Sequence, residues 1–162
     1  MTDLRTAALE FLGHGRFAVV GVARKGDSVA NAIYKKLRAS GRTVFPVNPN
    51  ASELEGDPAY PSVLSIPGGV EAAIIATHPS LAAAIVRECG EAGIDRIWIH
   101  GTFGGTYVPE EAVAAAAALG IKLIPGGCPM MFCDPVDLPH RCMRWFRHAT
   151  GREARPRMTG GD

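Results

Sequence analysis

The chain has 162 residues, enough for one ordinary domain with little left over. Hydrophobic residues form 47% of it and charged residues 20%, with 19 Gly and 12 Pro. That composition excludes a disordered chain, a collagen-like repeat and a disulfide miniprotein. A net charge of +1 argues against a nucleic-acid binder at the scale of the whole chain. The balance is uneven, however: residues 1–137 carry 11 Lys and Arg against 14 Asp and Glu, and residues 138–162 carry six Arg against two acids.

No run approaches the roughly 18 consecutive apolar residues of a membrane span. The N-terminus, MTDLRTAALE, has acids at Asp3 and Glu10 rather than a signal layout. The expectation is a cytoplasmic protein, without membrane attachment, whose Cys89, Cys128, Cys133 and Cys142 stay reduced.

In chain order, residues 2–12 place Leu4, Ala7, Ala8, Phe11 and Leu12 on one helical face. The apolar run FAVVGV (17–22) suits a strand buried on both sides. A helix over about 28–40 follows, capped by Asp27 or Ser28, with Val29, Ala32, Ile33 and Leu37 inward and Gly41 ending it. TVFPV (43–47) is a strand whose Pro46 lacks a ladder donor, so an edge or terminal position is expected. VEAAIIA (70–76) is the third strand, and Pro79 opens a helix to about residue 92 with Leu81, Ile85, Val86 and Cys89 as its stripe. RIWI (96–99) is the fourth strand. Pro109, Glu110 and Glu111 start a helix that ends at Gly120, and 121–124 is the fifth strand. A Gly/Pro/Cys loop over 125–136 then leads to a helix of about 138–148.

Strands alternating with helices, each strand nearly all apolar, predict an α/β fold: a Rossmann-like, doubly wound, parallel five-stranded sheet in a single domain. Residues 1–136 form the ligand-binding unit and 137–162 a basic C-terminal helix and tail. In such a sheet, ligands bind beyond the carboxyl ends of the strands. The fold therefore gathers Gly21, Val22, Ala23, Arg24, Lys25 and Gly26 with Val47, Asn48 and Pro49. It adds Thr77, His78 and Pro79, then His100, Gly101 and Thr102, and lastly Gly126, Gly127, Cys128 and Pro129. The first segment feeds a helix capped near Ser28, whose N-terminal amides and two adjacent cations suit a phosphate.

A nicotinamide dinucleotide fits poorly. Ala23 stands where G-x-G-x-x-G needs its second glycine, and Asn48-Pro49 stands where a ribose-binding acid belongs. No G-K-[ST] follows the first strand, so a P-loop is also excluded.

AVVGVAR (18–24), a helix from about Ser28 and VFPVNP (44–49) together resemble the stand-alone CoA-binding domain proteins. These are similar to the N-terminal domain of the succinyl-CoA synthetase α subunit. AYPSVL (59–64), Thr77-His78-Pro79, IWIH (97–100) and Gly127-Cys128-Pro129 extend the match over about residues 4–132, with His100 where the family commonly has glutamine. The resemblance implies coenzyme A across the strand ends. Ala23, Arg24, Lys25 and Gly26 would lie at the pyrophosphate, Val47, Asn48 and Pro49 at the adenosine, and Thr77, His78 and Pro79 mid-ligand. His100 and Gly101 would face the pantetheine arm.

No Ser/His/Asp set or carboxylate pair with an assignable role is readable, so a binding or regulatory module for CoA or an acyl-CoA is expected rather than an enzyme. The alternatives are an NAD(P)-binding oxidoreductase or redox sensor, and a thioester-handling enzyme that uses His78 or His100 with a partner chain. Cys128, Cys133, His140 and Cys142 are spaced C-x4-C-x6-H-x-C, which matches no common zinc site, and no metal is expected. Cys128, at a strand end, is expected in the crevice, where under an added oxidant such as diamide, which takes up the two electrons and two protons, it could form a mixed disulfide with a CoA thiol. Arg141, Arg144 and Arg147 form nearly one stripe, with Met143, Trp145 and Phe146 on other faces; a solvated face, or docking onto the acidic body of the same chain, a second copy or a protein partner, is expected over contact with a polyanion.

Overall fold

The computed structural model describes residues 3–101, 107–136, 139–142 and 145. Asp3 caps the first helix, its carboxylate accepting from the Thr6 amide at 2.8 Å, and α1 (Leu4–Leu12) buries the five apolar residues that its periodicity marks. β1 (Arg16–Val20) follows, then α2 (Val29–Ala39), whose N-cap is Ser28. β2 (Thr43–Val47) leads into a short hairpin of β3 (Glu53–Leu54) and β4 (Asp57–Pro58). β5 (Ala72–Ile75) precedes a 3-10 turn at Pro79–Leu81 and then α3 (Ala82–Glu91). β6 (Arg96–Ile99), α4 (Glu110–Ala118) and β7 (Lys122–Pro125) complete the sheet.

The five main strands are parallel in the order β2-β1-β5-β6-β7. From β1 the chain winds first to one side and then, through β5, to the other. The direction reverses between β1 and β5, and a crevice opens beyond their carboxyl ends.

Strand side chains alternate between two cores. Phe17, Val19, Ala72, Ile74 and Trp98 pack with α1 and α2. Ala18, Val20, Ala73, Ile75, Ile97 and Ile99 pack with α3 and α4. Phe11 meets Trp98 edge-on at 5.5 Å between ring centroids. The Trp98 indole N–H, fully buried, donates to the Gly126 carbonyl at 2.9 Å.

β2 is an edge strand, as Pro46 requires. Its outer side is covered by the segment around Tyr60: the Tyr60 amide donates to Pro46 O at 3.0 Å, and the Asn48 amide donates to Tyr60 O at 2.9 Å. Tyr60 also stacks edge-on against Phe45 at 5.7 Å.

Two packing expectations are corrected. Val29, expected inward, is 39% exposed, and α2 instead buries Ala30, Asn31 and Tyr34 beside Ile33 and Leu37. Polar atoms that find partners can occupy a core face, and here Asn31 and Tyr34 both do. Leu81 is exposed because it belongs to the 3-10 turn ahead of α3, where the helical stripe has not begun. The β3–β4 hairpin was not expected at all. Of the expected C-terminal helix, residues 139–142 and 145 are helical, with Arg141, Cys142 and Trp145 exposed. Arg144, Phe146, Arg147 and the tail beyond them lie outside the described residues.

Candidate functional site

The crevice is built on backbone. Gly21, directly after β1, has φ +106°, and a Cβ there would lie 2.5 Å from Ala76 O. Only glycine permits that approach. The Gly21 amide donates to Val47 O at 3.0 Å and the Ala76 amide to Val20 O at 2.9 Å, so the ends of β2, β1 and β5 are stitched together. Asn48 reinforces the seam: its Nδ2 donates to Val22 O at 2.9 Å, and its Oδ1 accepts from the Asn50 amide at 2.8 Å.

The loop after β1 divides into two held residues, Val22 and Ala23, and a presented arc of three. Val22 is buried, and both backbone groups of Ala23 bond to the Asn31 side chain. Arg24, Lys25 and Gly26 are exposed, and none of their amides donates to an acceptor among the described residues. Ser28 Oγ accepts from the Asn31 amide at 3.2 Å, so the N-terminus of α2 lies directly behind this arc. The Ala23 amide is thus already used, whereas those of the exposed residues from Arg24 to Asp27 have no protein acceptor among the described residues. The Arg24 guanidinium reaches the Asn50 carbonyl. Beside it runs an open groove of about 660 Å³ lined by Arg24, Pro49, Asn50, Ser52 and Glu53.

Thr77 is half-buried, its methyl against Gly21, while His78 and Pro79 are exposed. The His78 ring does local work: Nδ1 faces Ser80 Oγ at 2.8 Å and accepts from the Ser80 amide, capping the 3-10 turn that Pro79 begins. His100 is half-buried, and its amide donates to Ile75 O at 2.8 Å. Burial, and secondarily the nearby His140, hold its imidazole below the usual histidine range. The Gly101 amide donates to Gly127 O at 3.1 Å, which joins the loops after β6 and β7.

Cys128 is corrected. It is 3% exposed and packs in the core with Trp98, Met131 and Phe132, because the turn at Gly126 and Gly127, both at positive φ, sends the chain back over α1 and α2. Its thiol is not presented to the crevice. Cys133 is buried as well, and among the described residues no three His, Cys, Asp or Glu side chains converge as metal ligands.

Two residues of the site were not anticipated. Asn31 lies in the first turn of α2 with no exposed surface, and Glu55 reaches it from the β3–β4 turn. The available signal was a polar side chain on the inward face of an otherwise apolar helix.

A parallel sheet with a glycine turn at its topological switch point, followed by an exposed loop bearing Arg24 and Lys25 ahead of α2, defines a Rossmann-like domain. The match to known proteins is narrower: residues 15–134 fit the CoA binding domain model, and the chain belongs to that family. It is 37% identical over 117 residues to acetate–CoA ligase (ADP-forming) I of Archaeoglobus fulgidus, a match covering 68% of this chain and 17% of that protein. Against the α subunit of acetate–CoA ligase (ADP-forming) II of Pyrococcus furiosus, identity is 32% over 118 residues, covering 68% of this chain and 26% of the subunit. The chain thus corresponds to about a quarter or less of these relatives' length.

Among solved structures, a hypothetical protein from Pyrococcus horikoshii superposes with a TM-score of 0.74 at 28% identity, over 84% of this chain and 96% of the other. Acetyl-coenzyme A synthetase 1 (dinucleotide forming) of Ca. Korarchaeum cryptofilum gives a TM-score of 0.63 at 29% identity, over 72% of this chain and 27% of the synthetase. Among the described residues, no helix is long and apolar enough to cross a membrane.

Proposed function

We propose that this chain binds coenzyme A or an acyl-CoA across the carboxyl ends of its parallel strands and acts as a binding or regulatory module. The observation that carries the reading is the set of unpaired amides at Arg24, Lys25 and Gly26 in front of the α2 N-terminus, within a chain of the CoA-binding family. CoA bears a pyrophosphate and a 3′-phosphate, which would occupy this arc, with Arg24 and Lys25 supplying charge. The adenosine would lie in the groove beside Pro49 and Asn50. Thr77 and His78 would border the middle of the ligand, and His100 with Gly101 the pantetheine arm.

A second reading is supported by the relatives, which are ligases of several times this length, one of them built from separate subunits. In that reading the chain presents an acyl-CoA to a partner chain that carries the chemistry.

Native mass spectrometry of the purified protein with CoA, acetyl-CoA, NAD and NADPH tests the ligand. Retention of CoA or acetyl-CoA is the expected result. Retention of NAD without CoA overturns the proposal and restores a nicotinamide-binding reading.

A further inference from the structure

Asn31 is the one polar or charged residue classed as buried among the described residues, and its carboxamide is fully used. Oδ1 accepts from the Ala23 amide at 2.9 Å and from the Ser28 hydroxyl. Nδ2 donates to Ala23 O at 2.9 Å and to Glu55 Oε1 at 2.6 Å. Two lone pairs and two hydrogens are all matched, which fixes the orientation of the amide. The side chain therefore behaves toward Ala23 as a neighbouring strand would, bonding both its N–H and its C=O.

Glu55 closes the arrangement from outside the main sheet. It is the only non-glycine residue at positive φ among the described residues, at 53°, and it pairs with Gly56 at 82° in the two-residue turn between β3 and β4. Such I′-type turns favour Asn-Gly or Gly-Gly, so glutamate here carries a conformational cost that its side chain must offset. The carboxylate bonds Asn31, lies 3.6 Å from Lys35 Nζ, and sits against Gly26, where a Cβ would be 2.9 Å from Oε1. Lys35 in turn donates to Gly26 O at 3.1 Å. Ala23, just before the arc, is thereby held by Asn31, and Gly26, its last residue, by Lys35, with Glu55 joining the two side chains.

We infer that Asn31 and Glu55 are positioning residues that pre-form the anion-binding arc of residues 24–26. The inference rests on the proposed CoA reading. An acid beside an anion site opposes binding through its charge, so its contribution here is geometric: it holds Asn31, and Asn31 holds Ala23 with the following amides turned outward. Ordering the arc before the ligand arrives removes an entropic cost from binding.

The test is calorimetric titration of CoA into the wild-type chain and into N31A, E55A and E55Q, with each variant's thermal midpoint and the hydrogen exchange of the Ala23 amide. N31A and E55A are expected to raise the Kd for CoA at least 10-fold and to accelerate exchange at Ala23. E55Q keeps an acceptor for Asn31 Nδ2 and is expected to recover most of the affinity, which a role resting on the carboxylate charge would not allow. Folded E55A or N31A with wild-type affinity overturns the inference, as does E55Q binding as weakly as E55A. Glu55 lies in a surface hairpin, so E55A remains informative if N31A does not fold. Failure of the wild-type chain to bind CoA is a separate result, and it sinks the ligand assignment itself.

Discussion

The Cα of Gly21 faces the carbonyl oxygen of Ala76 so closely that a Cβ would come within 2.5 Å of it. The obstacle is backbone in the middle of a parallel sheet, and no side chain can swing aside to relieve it. At φ +106° an L side chain is strained whatever the space. Gly21→Ala is expected to cost at least ~2 kcal/mol, read as a lowered urea midpoint with an unchanged slope.

Trp98 ties the sheet to the loop after β7. Replacing it with Phe leaves the buried Gly126 carbonyl without its 2.9 Å donor and opens space beside Phe11 and Phe132. The unpaired carbonyl alone is expected to cost about 1–3 kcal/mol. Chemical denaturation of Trp98→Phe checks this, and near-wild-type stability would refute the assigned role.

Arg24 is exposed at the mouth of the groove, where its guanidinium donates to Asn50 O. Arg24→Ala is expected to weaken CoA binding by roughly 1–3 kcal/mol, with little change in thermal stability. Titration at two salt concentrations should show a shallower salt dependence for the variant. An unchanged affinity would remove Arg24 from the site.

Glu71 gives the acid limb of the stability curve a specific source. Its carboxylate accepts from the Gly15 amide at 2.8 Å and the Arg16 amide at 2.9 Å, and these bonds hold its pKa below the usual value. The charged form is favoured in the fold, so the unfolded chain takes up the proton first as pH falls. The stabilisation is present above the unfolded pKa of about 4.3 and is lost as pH drops through the lower folded value. Glu71→Gln should therefore flatten stability between pH 5 and the acid transition (~pH 3), measured by thermal melts across that range.

The thiols differ sharply in access. Cys89, Cys128 and Cys133 are buried, and burial pushes the Cys89 thiol up to about 12, whereas Cys142 is exposed. A thiolate-trapping reagent should label Cys142 first in the native protein and all four cysteines after unfolding. Fast labelling of Cys128, located by peptide mapping, would return it to the crevice.

What the sequence made legible followed where apolar side chains alone decide the outcome. The five inward residues of α1, the buried run of β1 and the edge position of β2 could all be read from spacing and from one proline. Reading failed where a polar side chain does structural work. Val29 outranks Asn31 in hydrophobicity, yet Asn31 is buried because Ala23 and Glu55 satisfy it. Tyr34 is buried because its hydroxyl donates to Asp57, which Arg38 also binds at 2.5 Å. The same interactions raise the Tyr34 pKa, with burial as the larger cause, and lower that of Asp57. Two-residue strands have no periodicity to detect, and a glutamate at positive φ disguises its own turn. The loop after β1 could be read as exposed and basic, but the absorption of Ala23's amide by Asn31 depends on a contact eight residues away.

The two margins of the sheet share a feature with a consequence for assembly. In β2, the amides of Thr43 and, just beyond β1, Gly21 mark which groups bond across the seam, so Val44 and Pro46 alternate outward. In β7, Lys122 and Gly126 donate inward to Asp95 and Ile99, which turns Leu123 and Pro125 outward. A proline on each outer row leaves a single outward N–H within each strand, at Val44 and at Leu123. Each margin is therefore a poor template for a further strand, which steers self-association of this fold away from sheet extension and toward its helical faces.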